Sequence, residues 1–344
     1  MELTLPAGFP TRVFVEDGLD AALLPAMPWT LVGDLAVQDT WRRFGLPEPA
    51  GTLWVPVAEA HKRLATLVPW LEAWAALPLR RDATVVAVGG GVLTDMAGLA
   101  ASLYMRGIPW HAWPTTLLSQ VDAGLGGKTG VDLEAGKNLA GAFHPPTRLV
   151  VCRAFLETLP VRQVDAGRWE IVKMALVAGD QAWAESLLDG PLPEAALQRA
   201  LTAKAEIVSR DPREAGERRL LNLGHTLGHA LEAASGYQLL HGEAVGLGTL
   251  AACCLAGEQG LPPFPPAFLE RMAQRLRPLA PLVPPWADCL PLLFRDKKSG
   301  QDTQSPGRSA IHCILPCPGA PAEQRFLPPE AWAAAHGRLT ALLT

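Results

Sequence analysis

The sequence predicts an α/β domain followed by a mainly α-helical domain. Short β-rich runs alternate with helix-like segments in the first half of the chain, and strand-like runs largely vanish after about residue 155. A length of 344 residues suits one large domain or two ordinary ones, and 49% apolar residues are ample for a core. We therefore expect domains over residues 1–155 and 156–344, with the active site in the cleft between them.

The predicted strands of the first domain are short runs rich in β-branched residues. They lie at residues 12–15, 30–32, 52–55 and 84–88. A helix is predicted over residues 57–77, where apolar residues recur at helical spacing. Strands that alternate with helices favour a parallel sheet with helices on both faces.

The second domain is predicted from long segments rich in Ala, Leu and Glu, which are typical of helices. A strand is expected at residues 309–315. The predicted helices cover residues 163–189, 193–209, 218–235 and 242–258.

Composition and charge argue against several classes of protein. The net charge of −4 differs from that of a nucleic-acid-binding protein, which carries a basic stripe. No apolar run reaches the roughly 18 residues of a membrane span, and we expect no signal peptide, since the first residues lack its basic and apolar regions. The six cysteines form no Cys-x-x-Cys pair, which argues against a zinc ribbon or a redox motif. We expect a reduced, cytoplasmic protein.

Lysine is scarce, and its positions are informative. Of the 30 basic residues only seven are lysine, and asparagine occurs only at Asn138 and Asn222. Because lysine is a compact point charge and arginine a planar fork, we expect the lysines where a point charge is needed. Lys128 and Lys137 lie with Asn138 in a glycine-rich stretch, and Asn222 precedes His225 by three residues. Codon bias with chance survivors is the alternative explanation.

A glycine-rich turn follows the predicted strand at residues 84–88. Gly89, Gly90 and Gly91 precede Asp95 and a helix-like segment. Backbone N–H groups at such a helix start bind phosphate or pyrophosphate. The spacing is not Gly-x-Gly-x-x-Gly, so the standard dinucleotide fingerprint is absent. The turn is therefore either a ligand site or a tight structural turn.

Residues 126–129, Gly-Gly-Lys-Thr, resemble part of a P-loop. A P-loop needs a glycine where this chain has Asp122, and residues 116–121 are not a clear strand. A nucleoside triphosphatase is therefore not predicted. The two nearby lysines and Asn138 instead favour a small anionic substrate.

Three of the eight histidines fall within one short segment. His225 and His229 are four residues apart on a predicted helix and share a face, and His241 follows. Glu170 and Lys173 lie three residues apart on another predicted helix. Imidazoles and a carboxylate with open positions suit a catalytic Zn²⁺, and spacing alone favours His225 and His229 as ligands. The alternative is a polar interface between helices.

Several segments of the chain together carry a family resemblance. They are GGGVLTDMAG (89–98), YMRGIPWHAWPTTLLSQVDAGLGGKTGVD (104–132), GKNLAGAFHPP (136–146), WEIVKMAL (169–176), RRLLNLGHTLGHALE (218–232), HGEAVGLG (241–248) and Asp296-Lys297-Lys298. In this order they closely resemble the 3-dehydroquinate synthase family of the sugar-phosphate cyclases. The resemblance runs nearly end to end, although residues 260–295 align poorly.

The resemblance implies an N-terminal dinucleotide-binding, Rossmann-like domain, a helical C-terminal domain and a homodimer. It also implies NAD and a divalent metal, which is usually Zn²⁺, with Co²⁺ as a possible substitute. The implied reaction converts the sugar phosphate 3-deoxy-D-arabino-heptulosonate 7-phosphate to 3-dehydroquinate and phosphate, the second step of the shikimate pathway to chorismate and the aromatic amino acids. Transient oxidation by NAD, phosphate elimination, re-reduction and an intramolecular aldol closure make such an enzyme a carbon–oxygen lyase.

The resemblance also implies a role for each residue that matches a family motif. The implied metal ligands are Glu170, His225 and His241. The implied NAD contacts are Asp34, Glu59, Lys62, Gly89, Gly90, Gly91, Asp95, Thr115, Thr116, Lys128, Lys137, Phe155, Leu156, Glu157 and Thr158. The implied catalytic and substrate-binding residues are Arg106, Asp122, Lys128, Asn138, Lys173, Lys204, Glu214, Arg218, Asn222, His229, Lys297 and Lys298.

Within the implied substrate set, Lys204 and Arg218 bind the substrate carboxylate, and Asp122 lies near the metal-bound hydroxyls. Glu214, with one of Lys297 and Lys298, closes the pocket. Arg106 serves either its own site or that of a neighbouring subunit.

The chain departs from the family pattern in two places. Residues 56–62 keep Glu59 and Lys62 of an adenosine-side loop but lack its Asp-Gly turn, and Ala123-Gly124 replaces a frequent Ser-Ser. Two alternatives to the synthase follow from the same motifs. One is a sister cyclase that makes an inosose or a valiolone, and the other is a metal-dependent polyol dehydrogenase, which would release NADH.

Overall fold

The computed structural model describes residues 1–294, 299–301 and 309–344, which form two compact units. Unit 1 comprises Met1–Val164 and Lys204–Arg213, and unit 2 comprises Asp165–Ala203 and Glu214–Thr344. The predicted site residues Lys297 and Lys298 lie outside the described residues. The predicted domain boundary at residues 155 and 156 stays a prediction.

Unit 1 is built on a parallel sheet, as the sequence predicts. The strands in chain order are β1 (Arg12–Glu16), β2 (Trp29–Asp34), β3 (Gly51–Val55), β4 (Thr84–Gly89), β5 (Trp110–Pro114), β6 (Lys128–Leu133), β7 (Gly136–Phe143) and β8 (Arg148–Cys152). Six of them form one sheet in the order β1-β8-β5-β4-β2-β3, in which every pairing is parallel. β4 is buried along its whole length, which is typical of a central parallel strand with both faces covered.

The helices of this sheet domain are α1 (Gln38–Arg42), α2 (Leu64–Ala75) and α3 (Gly91–Leu103). Part of the core is a cluster of large side chains that includes Trp29, Trp41 and Trp113, and the last two meet edge to face with ring centroids 5.2 Å apart. The helix predicted from residue 57 begins only at Leu64. The preceding residues include a 3₁₀ turn, Glu59–His61, which is followed by the buried Lys62.

β6 and β7 form a separate antiparallel pair that the sequence pattern does not predict. Gly130 and Gly141 are opposite each other in this pair, and a Cβ on Gly141 would lie 2.2 Å from the carbonyl oxygen of Thr129. Such a close approach requires glycine, and glycine lacks the β-branched side chain that reveals a strand in a sequence. β7 carries Lys137 and Asn138.

His111 on β5 is buried and is expected to make the protein sensitive to acid. Burial, with a smaller contribution from Arg148, lowers the pKa of His111 to about 3. Its Nδ1 has no hydrogen-bond partner among the described residues. The folded state therefore holds the neutral imidazole, whereas the unfolded chain takes up a proton near pH 6.5. This stabilising contribution is complete above pH 6.5 and is lost as the pH falls towards 3.

His111→Phe removes that titration and is expected to reduce the loss of stability in acid. Urea unfolding at pH 7, 5.5 and 4.5 gives the free energy of unfolding for parent and variant. The difference between the two proteins should shift in favour of the variant by up to about 1.4 kcal/mol for each pH unit below 6.5. A difference that stays constant over this range would contradict the assignment.

The helices of the second half of the chain are α4 (Val161–Val177), α5 (Gln181–Ser186), α6 (Glu194–Arg210), α7 (His225–Ala234), α8 (His241–Glu258), α9 (Pro266–Leu276), α10 (Trp286–Leu293) and α11 (Pro329–Leu343). Unit 2 also contains an antiparallel sheet of β9 (Ser299–Gln301), β10 (Ser309–Cys317) and β11 (Ala320–Leu327), in the order β11-β10-β9. The predicted strand at residues 309–315 is β10. Across the described ranges, no helix combines the length and apolarity needed to cross a membrane.

Two predicted helices are interrupted at glycines. The segment 163–189 divides into α4 and α5 around Gly179, where φ is 75°, and the segment 218–235 becomes an α-helix only after Gly224, where φ is 77°. A Cβ on Gly179 would lie 2.1 Å from the carbonyl oxygen of Ala320. Left-handed backbone and tertiary contact, rather than local propensity, therefore end the helix at Gly179.

Candidate active site

The candidate cofactor residues of unit 1 lie at one edge of the parallel sheet. Asp34 ends β2, where its Oδ1 accepts a hydrogen bond from Ala36 N at 3.0 Å, and Gly89 ends β4. Thr115 and Phe155 follow β5 and β8. Neighbouring parallel strands bring their carboxyl ends to the same edge, which is the usual position of a ligand crevice in an open α/β sheet.

The glycine turn between β4 and α3 leaves the backbone accessible. Gly90 caps α3 without a side-chain hydrogen bond, and a Cβ on Gly90 would lie 3.3 Å from Thr116 Cγ2. A Cβ on Gly91 would lie 3.3 Å from the Cβ of Ala123. Glycine at both positions keeps the space beside the helix N-terminus free of side-chain atoms, and the helix dipole there favours an anion. The residues present therefore fit the pyrophosphate of a dinucleotide such as NAD.

The candidate segment after β8 differs along its length. Phe155 is 1% exposed and packs in the same core cluster as Trp29, so its side chain is not accessible to a ligand. Leu156 is half-buried, and Glu157 and Thr158 are exposed.

Lys62 is buried and joins two other candidate residues. Its ammonium group donates hydrogen bonds to Asp95 Oδ2 at 2.6 Å and to Asn138 Oδ1 at 2.7 Å, and Lys62 is only 5% exposed. Burial raises the pKa of Asp95, and the charge of Lys62 acts against this shift. The backbone N–H of Asn138, which has φ 54°, donates to Asp132 Oδ1 at 2.7 Å. Because an ammonium group cannot accept a hydrogen bond, the amide turns its oxygen to Lys62 and directs its NH₂ group elsewhere.

Lys62→Met is expected to lower the free energy of unfolding by about 1–3 kcal/mol, because the largely buried carboxylate of Asp95 loses its donor. Urea unfolding measures this loss. Lys137→Met is the matched control: Lys137 Nζ lies 3.1 Å from Glu59 Oε1, but the two side chains are 36% and 49% exposed. Such an exposed ion pair contributes at most about 1 kcal/mol. Equal losses of unfolding free energy in the two variants would contradict the conclusion that Lys62 stabilises the fold through its buried hydrogen bonds.

The remaining unit 1 candidates differ in their surroundings. Lys204 Nζ donates to the backbone oxygen of Asp122 and to its Oδ1 at 2.5 Å. Asp122 lies in a π-helical turn, Ser119–Ala123, a geometry often found at functional sites. Arg106 is exposed and has φ 67°, an uncommon conformation for a residue with a side chain, and Lys128 is exposed at the start of β6.

Helices α4, α7 and α8 of unit 2 approach one another closely at glycines. Gly242 and Gly246 lie one turn apart on α8 and face α4, and a Cβ on Gly242 would lie 1.9 Å from the carbonyl oxygen of Ala166. Gly228 on α7 faces α8, where its Cβ would lie 2.9 Å from the carbonyl oxygen of Ala244. The three helices therefore bring their polar side chains to a common point.

A carboxylate and three imidazoles meet at this point. Glu170 Oε1 lies 3.8 Å from His225 Nε2 and 3.5 Å from His241 Nε2. His225, His229 and His241 each offer a ring nitrogen, and these atoms lie within 4.8 Å of one another. The Glu170 and Lys173 side chains are each 1% exposed, and Lys173 Nζ lies 2.5 Å from Glu170 Oε2.

The other ring nitrogens of two of these histidines are held by acceptors. His225 Nδ1 lies 3.0 Å from the carbonyl oxygen of Leu223, and His241 Nδ1 lies 3.1 Å from Glu232 Oε2. In a neutral ring, donation from Nδ1–H to such an acceptor would leave the Nε2 lone pair available to a metal ion. Burial acts to lower the pKa of His241, but hydrogen bonds to Glu170 and Glu232 outweigh it and raise that pKa to about 10. A metal that binds His241 at neutral pH therefore displaces a proton.

The donor set fits a divalent ion such as Zn²⁺ or Co²⁺. Two ligands held at about 2.0–2.1 Å by a tetrahedral ion stand about 3.4 Å apart. The separations of 3.5 and 3.8 Å between Glu170 Oε1 and the Nε2 atoms of His241 and His225 are close to this value. Three protein ligands leave a position for a substrate oxygen, as in catalytic rather than structural zinc sites. Spacing along the chain favours His225 with His229, whereas the position of Glu170 favours His225 with His241.

The other unit 2 candidates lie on or near a short 3₁₀ helix, Glu217–Asn222. Asn222 Nδ2 donates to Glu214 Oε1 at 2.6 Å, and Glu214 has φ 59°. Arg218 is 3% exposed and so places a cation in the interior of the unit.

Two family models match consecutive parts of this chain. The N-terminal model of 3-dehydroquinate synthase matches residues 52–166, and the C-terminal model matches residues 167–299. A curated 3-dehydroquinate synthase from Symbiobacterium thermophilum is 41% identical in a 275-residue alignment that covers 76% of this chain and 75% of that protein. The chain belongs to the 3-dehydroquinate synthase family. The family models and the curated relative therefore confirm the resemblance to this family that the sequence motifs indicate.

Solved structures similar to this member of the synthase family contain both kinds of cofactor. A 2-deoxy-scyllo-inosose synthase in complex with carbaglucose-6-phosphate, NAD⁺ and Co²⁺ is 26% identical, with 98% of each chain covered and a TM-score of 0.81. A 2-epi-5-epi-valiolone synthase from Streptomyces hygroscopicus, with NAD⁺ and Zn²⁺ bound, is 28% identical, with 99% of each chain covered and a TM-score of 0.77.

Glu232 contacts the candidate metal cluster but is not among the residues that the family resemblance implies. It is the last residue of the matching segment 218–232, and it is 8% exposed. A signal was present, since a carboxylate on the same helix as two clustered histidines is an expected partner for a metal-binding imidazole.

Proposed function

We propose that this chain is a 3-dehydroquinate synthase, which converts 3-deoxy-D-arabino-heptulosonate 7-phosphate to 3-dehydroquinate and phosphate. NAD and a divalent metal, Zn²⁺ or Co²⁺, are its cofactors. The observation that carries the proposal is the buried cluster of Glu170, His225 and His241 in a chain 41% identical to a curated 3-dehydroquinate synthase.

In unit 2, Glu170, His225 and His241 hold the metal in this proposal. Lys173 offsets the negative charge of Glu170, with which it is in contact. His229 lies beside the metal cluster and is half-buried, so its imidazole is suited to a hydrogen bond with a substrate hydroxyl. Arg218 is proposed to bind the substrate carboxylate, because its guanidinium matches a carboxylate in two hydrogen bonds.

In unit 1, the glycine turn and the residues that follow the parallel strands hold NAD in this proposal. Asn138 has a fixed amide orientation and offers its NH₂ group to a substrate oxygen. The exposed ammonium of Lys128 is proposed to bind the substrate phosphate, and Lys204 is held in place by Asp122.

The metal would supply Lewis acidity at two adjacent substrate hydroxyls, and NAD would supply a reversible hydride acceptor. Neither cofactor would be consumed. The chain's own contribution is orientation and charge. A buried cation such as Arg218 is suited to hold one anionic group of the substrate, which orients the reacting carbons. Preorganised donors also stabilise the charge that develops as phosphate leaves, without reorganisation at the moment of reaction.

Phosphate release from 3-deoxy-D-arabino-heptulosonate 7-phosphate, followed together with absorbance at the NADH band, tests the proposal. The full chain is assayed with NAD⁺ and Zn²⁺, and then again after treatment with a chelator. We expect phosphate release without net NADH and loss of activity on chelation. Absence of phosphate release from this substrate would refute the proposed function.

Two alternatives are distinguished by the same assay. The similarity of the fold to inosose and valiolone synthases favours a sister cyclase as the second candidate, which would release no phosphate here but would cyclise another sugar phosphate. A polyol dehydrogenase would accumulate NADH from a polyol without releasing phosphate.

We further propose a homodimer in the cytoplasm. The family resemblance supports the dimer, and the cysteines support a reducing compartment, since all six are free and buried. Sedimentation equilibrium of the full chain tests the dimer. A mass of about 37 kDa at every concentration would refute it, because one chain has a mass of 36.7 kDa.

A further inference from the structure

The two imidazoles beside Glu170 differ in what holds their other nitrogen. His225 Nδ1 faces a neutral backbone carbonyl, that of Leu223, at 3.0 Å. His241 Nδ1 faces a carboxylate oxygen, Glu232 Oε2, at 3.1 Å. Both rings present Nε2 to Glu170. On the opposite side of each ring, the acceptor at Nδ1 is a neutral carbonyl for His225 and a charged carboxylate for His241.

We propose that Glu232 is a positioning residue that makes His241 the stronger nitrogen donor of the metal site. The inference rests on the proposed metal site and extends it to a residue that does not touch the metal. A carboxylate at Nδ1 orients the ring so that Nε2 faces the metal position, and its negative charge attracts a divalent cation more strongly than a neutral carbonyl does.

The position of Glu232 is fixed by its own helix end. Ser235 Oγ donates to the backbone oxygen of Glu232 at 2.8 Å, and Tyr237 N donates to the same oxygen at 3.0 Å. Gly236 and Tyr237 have φ values of 63° and 62°, so the chain turns sharply there and ends α7. Because α7 also carries His225, one helix holds a metal ligand directly and orients the ligand of α8.

The side-chain burial of Glu232 strengthens this effect. Its side chain is 11% exposed, so water screens its charge poorly. His241 lies between two carboxylates, with Nε2 3.5 Å from Glu170 and Nδ1 3.1 Å from Glu232. Such an arrangement raises the affinity of the site for a divalent cation and slows the loss of the ion.

Glu232→Gln gives the sharpest test, because the amide oxygen can still accept from Nδ1–H. The variant thus gives His241 the neutral partner that His225 already has. Glu243→Gln is the matched control: Glu243 is a buried carboxylate near the start of the same helix as His241, and its Oε2 accepts from Leu240 N at 2.8 Å.

The measurement is the dissociation constant of Co²⁺ and of Zn²⁺ for the metal-free full chain, obtained by competition with a chelating dye. We expect Glu232→Gln to weaken binding 10–100-fold, with the Co²⁺ absorption bands kept because the ligands are unchanged. Glu243→Gln should bind like the parent.

Metal binding by Glu232→Gln within threefold of the parent would overturn the inference and leave the metal site intact. A parent chain that binds neither ion would overturn both the inference and the proposed metal site. A purely structural role for Glu232 would lower the melting temperature of the metal-free variant without changing the dissociation constant at 25 °C, and that result also overturns the inference.

Discussion

Glu170→Gln is expected to remove tight metal binding and, with it, activity. Glu170 is the carboxylate that lies 3.5 and 3.8 Å from the Nε2 atoms of His241 and His225. A neutral amide cannot balance the charge of a divalent ion, so the loss should exceed the roughly 100-fold that removal of an outer partner costs. The measurement is metal content per chain after dialysis. The parent should retain one ion and the variant almost none.

The contact with Lys173 complicates this variant, and a second substitution resolves it. Lys173 and Glu170 are both 1% exposed, and breaking a buried ion pair costs about 3–5 kcal/mol. The double variant Glu170→Gln/Lys173→Met removes both charges at nearly constant volume. It should recover most of the stability and none of the metal binding. If Glu170→Gln alone kept one metal ion per chain, the assignment of Glu170 as a ligand would be refuted.

Gly242→Ala is expected to destabilise unit 2 and to disrupt the metal site together. The added methyl would lie 1.9 Å from the carbonyl oxygen of Ala166 and 3.0 Å from its Cα, so a backbone must move. Overpacking of this kind costs about 1–3 kcal/mol or more. Because Gly242 follows His241 directly, the shift would also move His241 away from Glu170. We expect a lower melting temperature and weaker Co²⁺ binding in the same variant.

Gly337→Ala is the matched control for this packing effect. Gly337 also lies within a helix, but a Cβ there would meet no atom within 4 Å and its φ is not positive. Alanine is a better helix former than glycine by up to about 1 kcal/mol, so this variant should be as stable as the parent or more so. If Gly242→Ala were equally harmless, the close packing of α4 and α8 would not be needed to hold the site.

The sequence predicts the parallel sheet and the histidine cluster because both have local signals. Residues 85–88 are apolar throughout, as expected for a buried central strand, and β4 is observed there. His225 and His229 share a helix face by spacing alone. Glu170 lies far from His241 along the chain, and Glu232 lies on a different helix. No helix or strand periodicity therefore relates either carboxylate to His241.

Other features depend on contacts that a sequence pattern does not contain. The burial of Lys62 depends on Asp95 and Asn138, which are 33 and 76 residues away along the chain. A lone lysine in a polar segment gives no sign that it will be buried. The β6–β7 pair is hidden for a different reason, since the glycines that its backbone approach requires have low strand propensity.

The composition of unit 1 has a consequence for the order in which this protein can fold during synthesis. Unit 1 includes Lys204–Arg213, and Lys204 donates two hydrogen bonds to Asp122. A nascent chain ending near Val164 therefore lacks part of the unit that its first residues belong to. Since a ribosome adds about 5–20 residues per second, unit 1 receives this last segment several seconds after Val164 has been added. Residues 165–203 of unit 2 are made in that interval, so unit 1 is completed only after part of unit 2 already exists.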